Sequence, residues 1–314
     1  MKRIGLIAAA ACGIASIVLA VSAVPAAAQK QTTITYEEPK TAALRPFYLK
    51  LKKLAVLETL QKFLSPLKFS LALKAAECGG PYAPYTPGGP VTICYEYVSL
   101  IESVLPGEQA TLKSPDKSIP DLFGDLGRIG PVLVTRGMAS AGPFVEQALH
   151  EVAIAVFDKL ETPIWGKRED AGDYVAAFLM LQFGTDIARK TIYGTAFFLN
   201  EVDKLDRDRL KDPEYLGDVR PTLRQRYYNI LCIAVGRDPI GFSSFIAIGR
   251  AETIVDLPAG RAVNCRGGGM DSDRPGAWSA YEKVRQAFVD LILPEIDQKM
   301  LKEVQNTKWL PDEE

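Results

Sequence analysis

The chain carries one histidine, His150, in the middle of a stretch from Phe144 to Leu160 whose apolar residues recur at helical spacing. The segment reads His150-Glu151-Val152-Ala153-Ile154. A helix that grips a zinc ion through H-E-x-x-H needs two imidazoles one turn apart, because that spacing aims both at one ion. Here the second place is Ile154, and no other histidine exists to fill it. The helix therefore holds half of a metal-binding pair and presents an aliphatic branch where the other half should be.

What surrounds this helix sets the compartment. Met1-Lys2-Arg3 opens the chain, a run without charge extends from Ile4 to Val24, and Ala26-Ala27-Ala28 precedes Gln29. That pattern is a secretory signal peptide cleaved after residue 28, leaving residues 29–314 as the mature chain. The run is also just long enough to serve as an uncleaved membrane anchor. A lipid attachment at Cys12 fits poorly, since Ala9 stands three residues before it. Loss of Lys2 and Arg3 takes the 37 basic residues to 35 against 38 acidic, a net charge of −3. Nothing in that balance points to nucleic acid or to a polybasic membrane surface.

Four cysteines remain in the mature chain: Cys78, Cys94, Cys232 and Cys265. An even number in an exported chain implies disulfides, with three connectivities open. The local pairs Cys78–Cys94 and Cys232–Cys265 are preferred, because each brackets a region rich in glycine and proline. Closing a loop of about 15 residues stabilises by roughly 3 kcal/mol in the chain-entropy view. A four-cysteine zinc site is disfavoured by the lack of any C-x-x-C spacing.

Hydrophobic content of 47% with 24% charged residues supplies enough material for a sizeable core. A short β-like run covers residues 32–36. Leu44, Phe47, Leu51, Leu54, Leu57, Leu60 and Leu64 predict one amphipathic helix over 43–64, stopped by Pro66. Phe69 to Ala75 reads as a strand. Two breaker clusters, Cys78-Gly79-Gly80-Pro81 and Pro87-Gly88-Gly89-Pro90, then lead to Val91–Tyr95, read as the returning strand of a hairpin. A helix is expected over 96–105. Residues 106–142 read as a long connection with little regular structure. Helices follow over 144–160, 167–183, 186–205, 223–235, 242–248 and 277–292, with a charged linker at 206–220. The fold class is α+β: one mainly helical domain over 29–314 with a small N-terminal β-hairpin.

Glu169 and Asp173, past the end of the His150 helix, lie one turn apart on the next. In a zinc peptidase of the gluzincin kind, such a pair supplies two parts. The Glu169 carboxylate would be a metal ligand beside His150, and Asp173 would accept the free imidazole N–H of a ligand histidine. Glu151 would be the general base acting on metal-bound water. Plainer readings exist. An isolated His-Glu on an amphipathic helix is common, acids in a first helical turn favour the macrodipole, and Asp173 could pair with Arg168 or another cation.

Several segments in order resemble a bacterial family of exported metallopeptidases built around H-E-x-x-H and a downstream acidic pair. The matching pieces are Glu77-Cys78-Gly79, Tyr85 and Thr92-Ile93-Cys94-Tyr95-Glu96; Leu149-His150-Glu151; Pro163-Ile164-Trp165-Gly166 through Asp173; Gln225-Arg226-Tyr227-Tyr228-Asn229 through Cys232; Gly236 and Asp238-Pro239; and Leu257-Pro258 to Arg261 with Cys265. The resemblance implies a zincin-like, gluzincin-like fold and zinc as the metal, if any is held. Three departures stand out. Ile154 replaces the second zinc histidine, Arg220 stands where the family often carries another histidine, and Gly267-Gly268-Gly269 replaces a glutamate-containing stretch.

The scaffold is kept and the chemistry altered, so the expectation is a pseudoenzyme, secreted or periplasmic. It would bind a peptide or protein, with zinc lost or weakly held. Membrane contact is expected only through an uncleaved signal. An active but atypical metallopeptidase is the second reading, its missing ligand supplied by Glu146, an outside carboxylate or a partner chain. A structural envelope protein is the third. Rescue by Asp158 is disfavoured by distance, since it lies two turns from His150 and over about 10 Å along the axis. Serine and cysteine hydrolases fail for want of a suitable histidine and of a G-x-S-x-G elbow. No G-x-G-x-x-G or Walker loop occurs.

Overall fold

A computed structural model describes residues 32–83, 85–113, 132–205, 218, 220–246, 257–267 and 278–305. The segment expected to be a signal peptide, Gly268, Gly269 and most of the 206–220 linker lie outside these residues. Three short strands, β1 (Thr33–Tyr36), β2 (Ala72–Ala76) and β3 (Val91–Cys94), form one sheet in that order. Both pairings are parallel, with Thr33 opposite Ala72 and Leu73 opposite Val91. The expected hairpin is therefore wrong. The two breaker clusters do not make a reversing turn. They form an irregular crossover that returns the chain to the start of the sheet, as a parallel pair requires. The Cys78–Cys94 disulfide closes that crossover at the shared end of β2 and β3, with Cα atoms 5.6 Å apart.

The helix expected over 43–64 is two, α1 (Arg45–Lys53) and α2 (Val56–Leu64). They are broken at Ala55, which adopts a left-handed conformation with φ of 48°. That conformation costs an alanine about 1–2 kcal/mol. The break lets α1 pack on α3 (Tyr95–Ser103) while α2 turns Leu57, Leu60 and Leu64 inward and packs on β1 and β2. A straight helix could not meet both surfaces.

The region 106–142, read as an open connection, contains β4 (Gln109–Lys113) paired antiparallel with β5 (Val132–Thr135), and then the start of α4 (Arg136–Lys159). The Thr135 hydroxyl caps α4 by accepting from the Met138 amide at 3.2 Å. Gly and Pro at 142 and 143 pointed to a breaker, but packing against the next long helix overrides them. A Cβ on Gly142 would lie 2.5 Å from the Thr191 carbonyl oxygen, and one on Gly194 would collide with the Met138 carbonyl. The glycines let two helix backbones touch. The Pro143 carbonyl accepts from the Tyr97 hydroxyl at 3.1 Å.

Four helices follow closely: α5 (Arg168–Met180), α6 (Thr185–Leu205), α7 (Leu223–Arg237) and α8 (Ala259–Arg266). Two more close the described chain, α9 (Ala280–Leu291) and α10 (Gln298–Gln305). Of the helix expected over 242–248, residues 247 and 248 lie outside the described residues and the rest holds a 3-10 turn, Ser243–Phe245; α8 and α10 were not anticipated. A second disulfide, Cys232–Cys265, ties α7 to α8.

The spine of the molecule is α4. Its Leu149 belongs to the core built with α5, α6 and α7, its Ala148, Val152 and Val156 to the core beneath the sheet, and its Ile154 and Phe157 to a small cluster facing α5. A helix buried on all sides must satisfy every polar group it carries. On α4 those groups are Glu146, Gln147, His150 and Glu151.

Candidate metal centre

His150 is 2% exposed. Its Nε2 lies 2.9 Å from Glu169 Oε2, and its Nδ1 lies 3.0 Å from Asp173 Oδ1. Both carboxylates come from the first turns of α5, whose i and i+4 positions lie against α4. The close approach rests on Gly172. A Cβ there would stand 2.9 Å from His150 Cε1 and 3.0 Å from Ile154 Cδ1. The same small gap is thus flanked by the imidazole and by the Ile154 methyl, which sits one turn on in an apolar cluster with Phe157.

Asp173 is fully buried and takes three partners. Besides His150, it accepts from Arg226 Nε at 3.0 Å and from Asn229 Nδ2 at 3.1 Å. Arg226, on α7, reaches across the site and donates from Nη2 to both oxygens of Glu146, at 2.9 and 3.1 Å, and to Gln147 Oε1 at 3.2 Å. Gln147 in turn donates to Glu151 Oε1 at 2.7 Å. The cation that Asp173 pairs with is therefore Arg226 and not Arg168. Arg168 donates to the Ile154 carbonyl at 2.9 Å and lies 3.8 Å from Asp158. Asp158 accepts from the Tyr85 hydroxyl and the Gly88 amide, so it serves the crossover loop and not the site.

The charges follow from this geometry. Burial by itself pulls the imidazole of His150 down, but hydrogen bonds to Asp173 and Glu169 outweigh it and raise it to about 10. Burial opposes ionisation of Asp173 and Glu169 too. Arg226 and His150 hold Asp173 low, and His150 holds Glu169 low. Glu146 is pushed up by burial despite its bond to Arg226. Glu151, also raised by burial, reaches about 7.

Outside this cluster lies a cleft of about 670 Å³, with His150, Glu151 and Glu169 on its floor and Tyr82, Tyr85 and Arg220 on its walls. Arg220 pairs with Asp218 at 3.6 Å and stands 5.8 Å from the Tyr82 ring. Lys167 donates to the Asp218 carbonyl at 2.8 Å and tethers that wall to the start of α5.

Arg226, Gln147 and Asn229 have no part in the zinc-helix motif, and Glu146 enters it only as a substitute ligand. Glu146 lies one turn before His150, so its place on the same face was readable from spacing. The contact of Arg226 with Glu146 spans 80 residues, and no local pattern carries it.

Do these side chains fit a zinc ion? Glu146, His150 and Asp173 each offer an atom within 4.8 Å of the others, a composition that can hold a cation. Yet Arg226 already bridges the two carboxylates, and both imidazole nitrogens face carboxylate oxygens. With Ile154 in place of a second imidazole, the set at the motif reduces to His150 and Glu169, short of the three or four protein ligands of a zinc site. As arranged, the residues do not fit. The other acid–sulfur grouping, Cys78, Cys94 and Glu96, is closed by its disulfide, and Glu96 accepts from the Cys78 and Gly79 amides.

Residues 36–280 match a protein family described as "putative metallopeptidase", and the chain belongs to that family. No curated protein and no solved structure matches it. Among the described residues no helix is long and apolar enough to cross a membrane, and the two disulfides suit an oxidising compartment.

Proposed function

We propose that this chain is an exported metallopeptidase relative that no longer cleaves, and that its cleft holds a peptide or protein segment. One observation carries the reading: the Ile154 methyl packs beside His150, one turn on, where the second imidazole of a zinc helix belongs. The roles first assigned from the motif become scaffold roles. His150 is clamped between Asp173 and Glu169, and Glu151 faces the cleft as a buried acid close to half-ionised at neutral pH. The cleft keeps what peptide binding needs, a concave surface with tyrosines on its walls and polar groups, Gln147, Glu151, Glu169 and Arg220 among them, that can bond a peptide backbone. The segment 1–28 with its A-x-A box, and the paired cysteines, support a secreted or periplasmic location.

A second reading, an atypical active enzyme, draws support from the Glu146, His150 and Asp173 grouping and from Glu151 near 7, the range of a useful general base. It requires Glu146 to leave Arg226.

The test is zinc stoichiometry by elemental analysis of the untagged protein beside its Ile154→His variant. Wild type should hold little zinc and show no peptidase activity. The variant should bind zinc at least about a hundredfold more tightly, since a third ligand joins an oriented pair. Equal zinc in both, or a wild type saturated with zinc, would refute the pseudoenzyme reading. Photo-crosslinking of a peptide to the cleft separates peptide binding from a purely structural envelope role.

A further inference from the structure

On the other side of α4 from His150 lies a second cavity, of about 850 Å³. Its walls are Leu60 and Phe63 of α2, Ile101 of α3, Val145 and Ala148 of α4, and Phe183. Most of this surface is hydrocarbon, with Thr59, Ser140 and Thr191 among the lining residues. An apolar cavity of about 150 Å³ stays dry and takes up benzene. This one is more than five times larger and lies in the range of dedicated ligand pockets, about 300–1,000 Å³. It therefore has room for an extended aliphatic chain.

The mouth differs from the walls. Lys50, Lys53 and Glu102 stand there, together with Leu54, which is 59% exposed. Lys50 is paired with Glu102, and Arg136 lies 3.5 Å from the same carboxylate. Lys53 has no acidic partner among the described residues. The rim thus carries a net positive charge, with Lys53 the cation there that no acid pairs among the described residues. Ala55, in its left-handed conformation, lies between Leu54 and Val56, both of which line this cavity. Strained backbone of this kind concentrates at ligand clamps and switch regions. A continuous helix through residue 55 would have turned the wall differently.

We infer that this cavity binds a long-chain carboxylate, a fatty acid, with its tail among α2, α3 and α4 and its head group at Lys53. The site is independent of the His150 cleft. One face of α4, at Ala141, Val145 and Ala148, lines the tail pocket, and another, at Gln147, His150 and Glu151, lines the cleft. A carboxylate is opposite in sign to this rim, where Lys50, Lys53 and Arg136 face the single acid Glu102.

The test uses the full mature protein and a fluorescent polyunsaturated carboxylate, cis-parinaric acid, displaced by saturated acids of increasing length and by 1-hexadecanol. Displacement should saturate at one site per chain. It should tighten roughly tenfold for every two methylenes added, as burial of hydrocarbon requires. Hexadecanoate should outcompete 1-hexadecanol in wild type. Lys53→Glu, at an exposed position, should abolish that preference and leave the alcohol unchanged. Ala141→Phe, projecting into the cavity, should weaken both. Three results would overturn the inference. These are no saturable displacement by any acid, equal binding of acid and alcohol in wild type, or a doubled mass in light scattering that Leu54→Glu removes, which would make a second copy of the chain the occupant.

Discussion

The two sides of α4 are built by opposite rules. Toward α5 and α7, every side chain is fixed by named partners. Arg226 alone holds Glu146, Gln147 and Asp173, and His150 has a carboxylate on each nitrogen. Toward α2, the same helix faces a cavity whose walls stand apart across open space. The first side has kept its geometry although a zinc helix would need a histidine at 154. Buried charge explains why. Each ion there would cost several kcal/mol if left alone, so the network holds itself together whether or not it does chemistry. The second side is not constrained in this way, and its shape follows from what the break at Ala55 leaves open.

The comparison breaks first if the polar side is less interdependent than its contacts imply. Arg226→Met should destabilise the protein by about 3–5 kcal/mol, because it leaves Glu146 and Asp173 buried without their cation. Urea denaturation measures it. A loss under 1 kcal/mol would mean that water reaches the site and that the charges are not interdependent.

Next in size is a pH effect. The ordinary imidazole value of 6.5 is raised to about 10 in the folded protein. Between those values the native state keeps a proton that the unfolded chain has shed. The contribution is therefore complete below pH 6.5, falls as pH rises, and is gone above 10. Each unit inside that window is worth about 1.4 kcal/mol, so two to three kcal/mol should vanish between pH 7 and 9. Glu151, raised from 4.5 to about 7, acts in the same direction but in the lower window. His150→Gln should flatten the upper limb. An unchanged slope in that variant would assign the effect to other groups.

The polar side was partly legible in the sequence, and the reasons are local. His150, Glu169 and Asp173 sit at helical spacings that aim them together, so their convergence was readable from two helices. Arg226 was not, because it arrives from 53 and 80 residues away. The sheet shows a different kind of failure. A hairpin and a Cys78–Cys94 bond were both expected, yet they exclude each other. In a hairpin Cys94 would lie three residues up the returning strand, about 10 Å from a cysteine at the turn, beyond disulfide reach. The disulfide alone pointed to parallel strands, where Ala76 stands opposite Cys94. The start of α4 was hidden by Gly142 and Pro143, read as breakers when their use is to bring α4 and α6 into contact. Nor does the Leu44–Leu64 periodicity show the break at Ala55, since the phase continues through it and only the surfaces beyond it require the turn.

The finest test compares two valines on α4 that lie seven residues apart and so share a face. Val152 is 3% exposed and packed in the core beneath the sheet. Val145 lines the cavity. Val152→Ala should cost about 2 kcal/mol, the lost burial plus the void it leaves. Val145→Ala removes the same atoms where a void already exists, so only the transfer of partly exposed methyls is lost, about 1 kcal/mol. Chemical denaturation of the two variants reads the difference directly. Equal costs would show that the wall at Val145 is as tightly packed as the core and that the cavity is filled in solution. Repeating the measurement with hexadecanoate present should raise the cost of Val145→Ala and leave that of Val152→Ala alone, because only the first side chain would then gain a neighbour to lose.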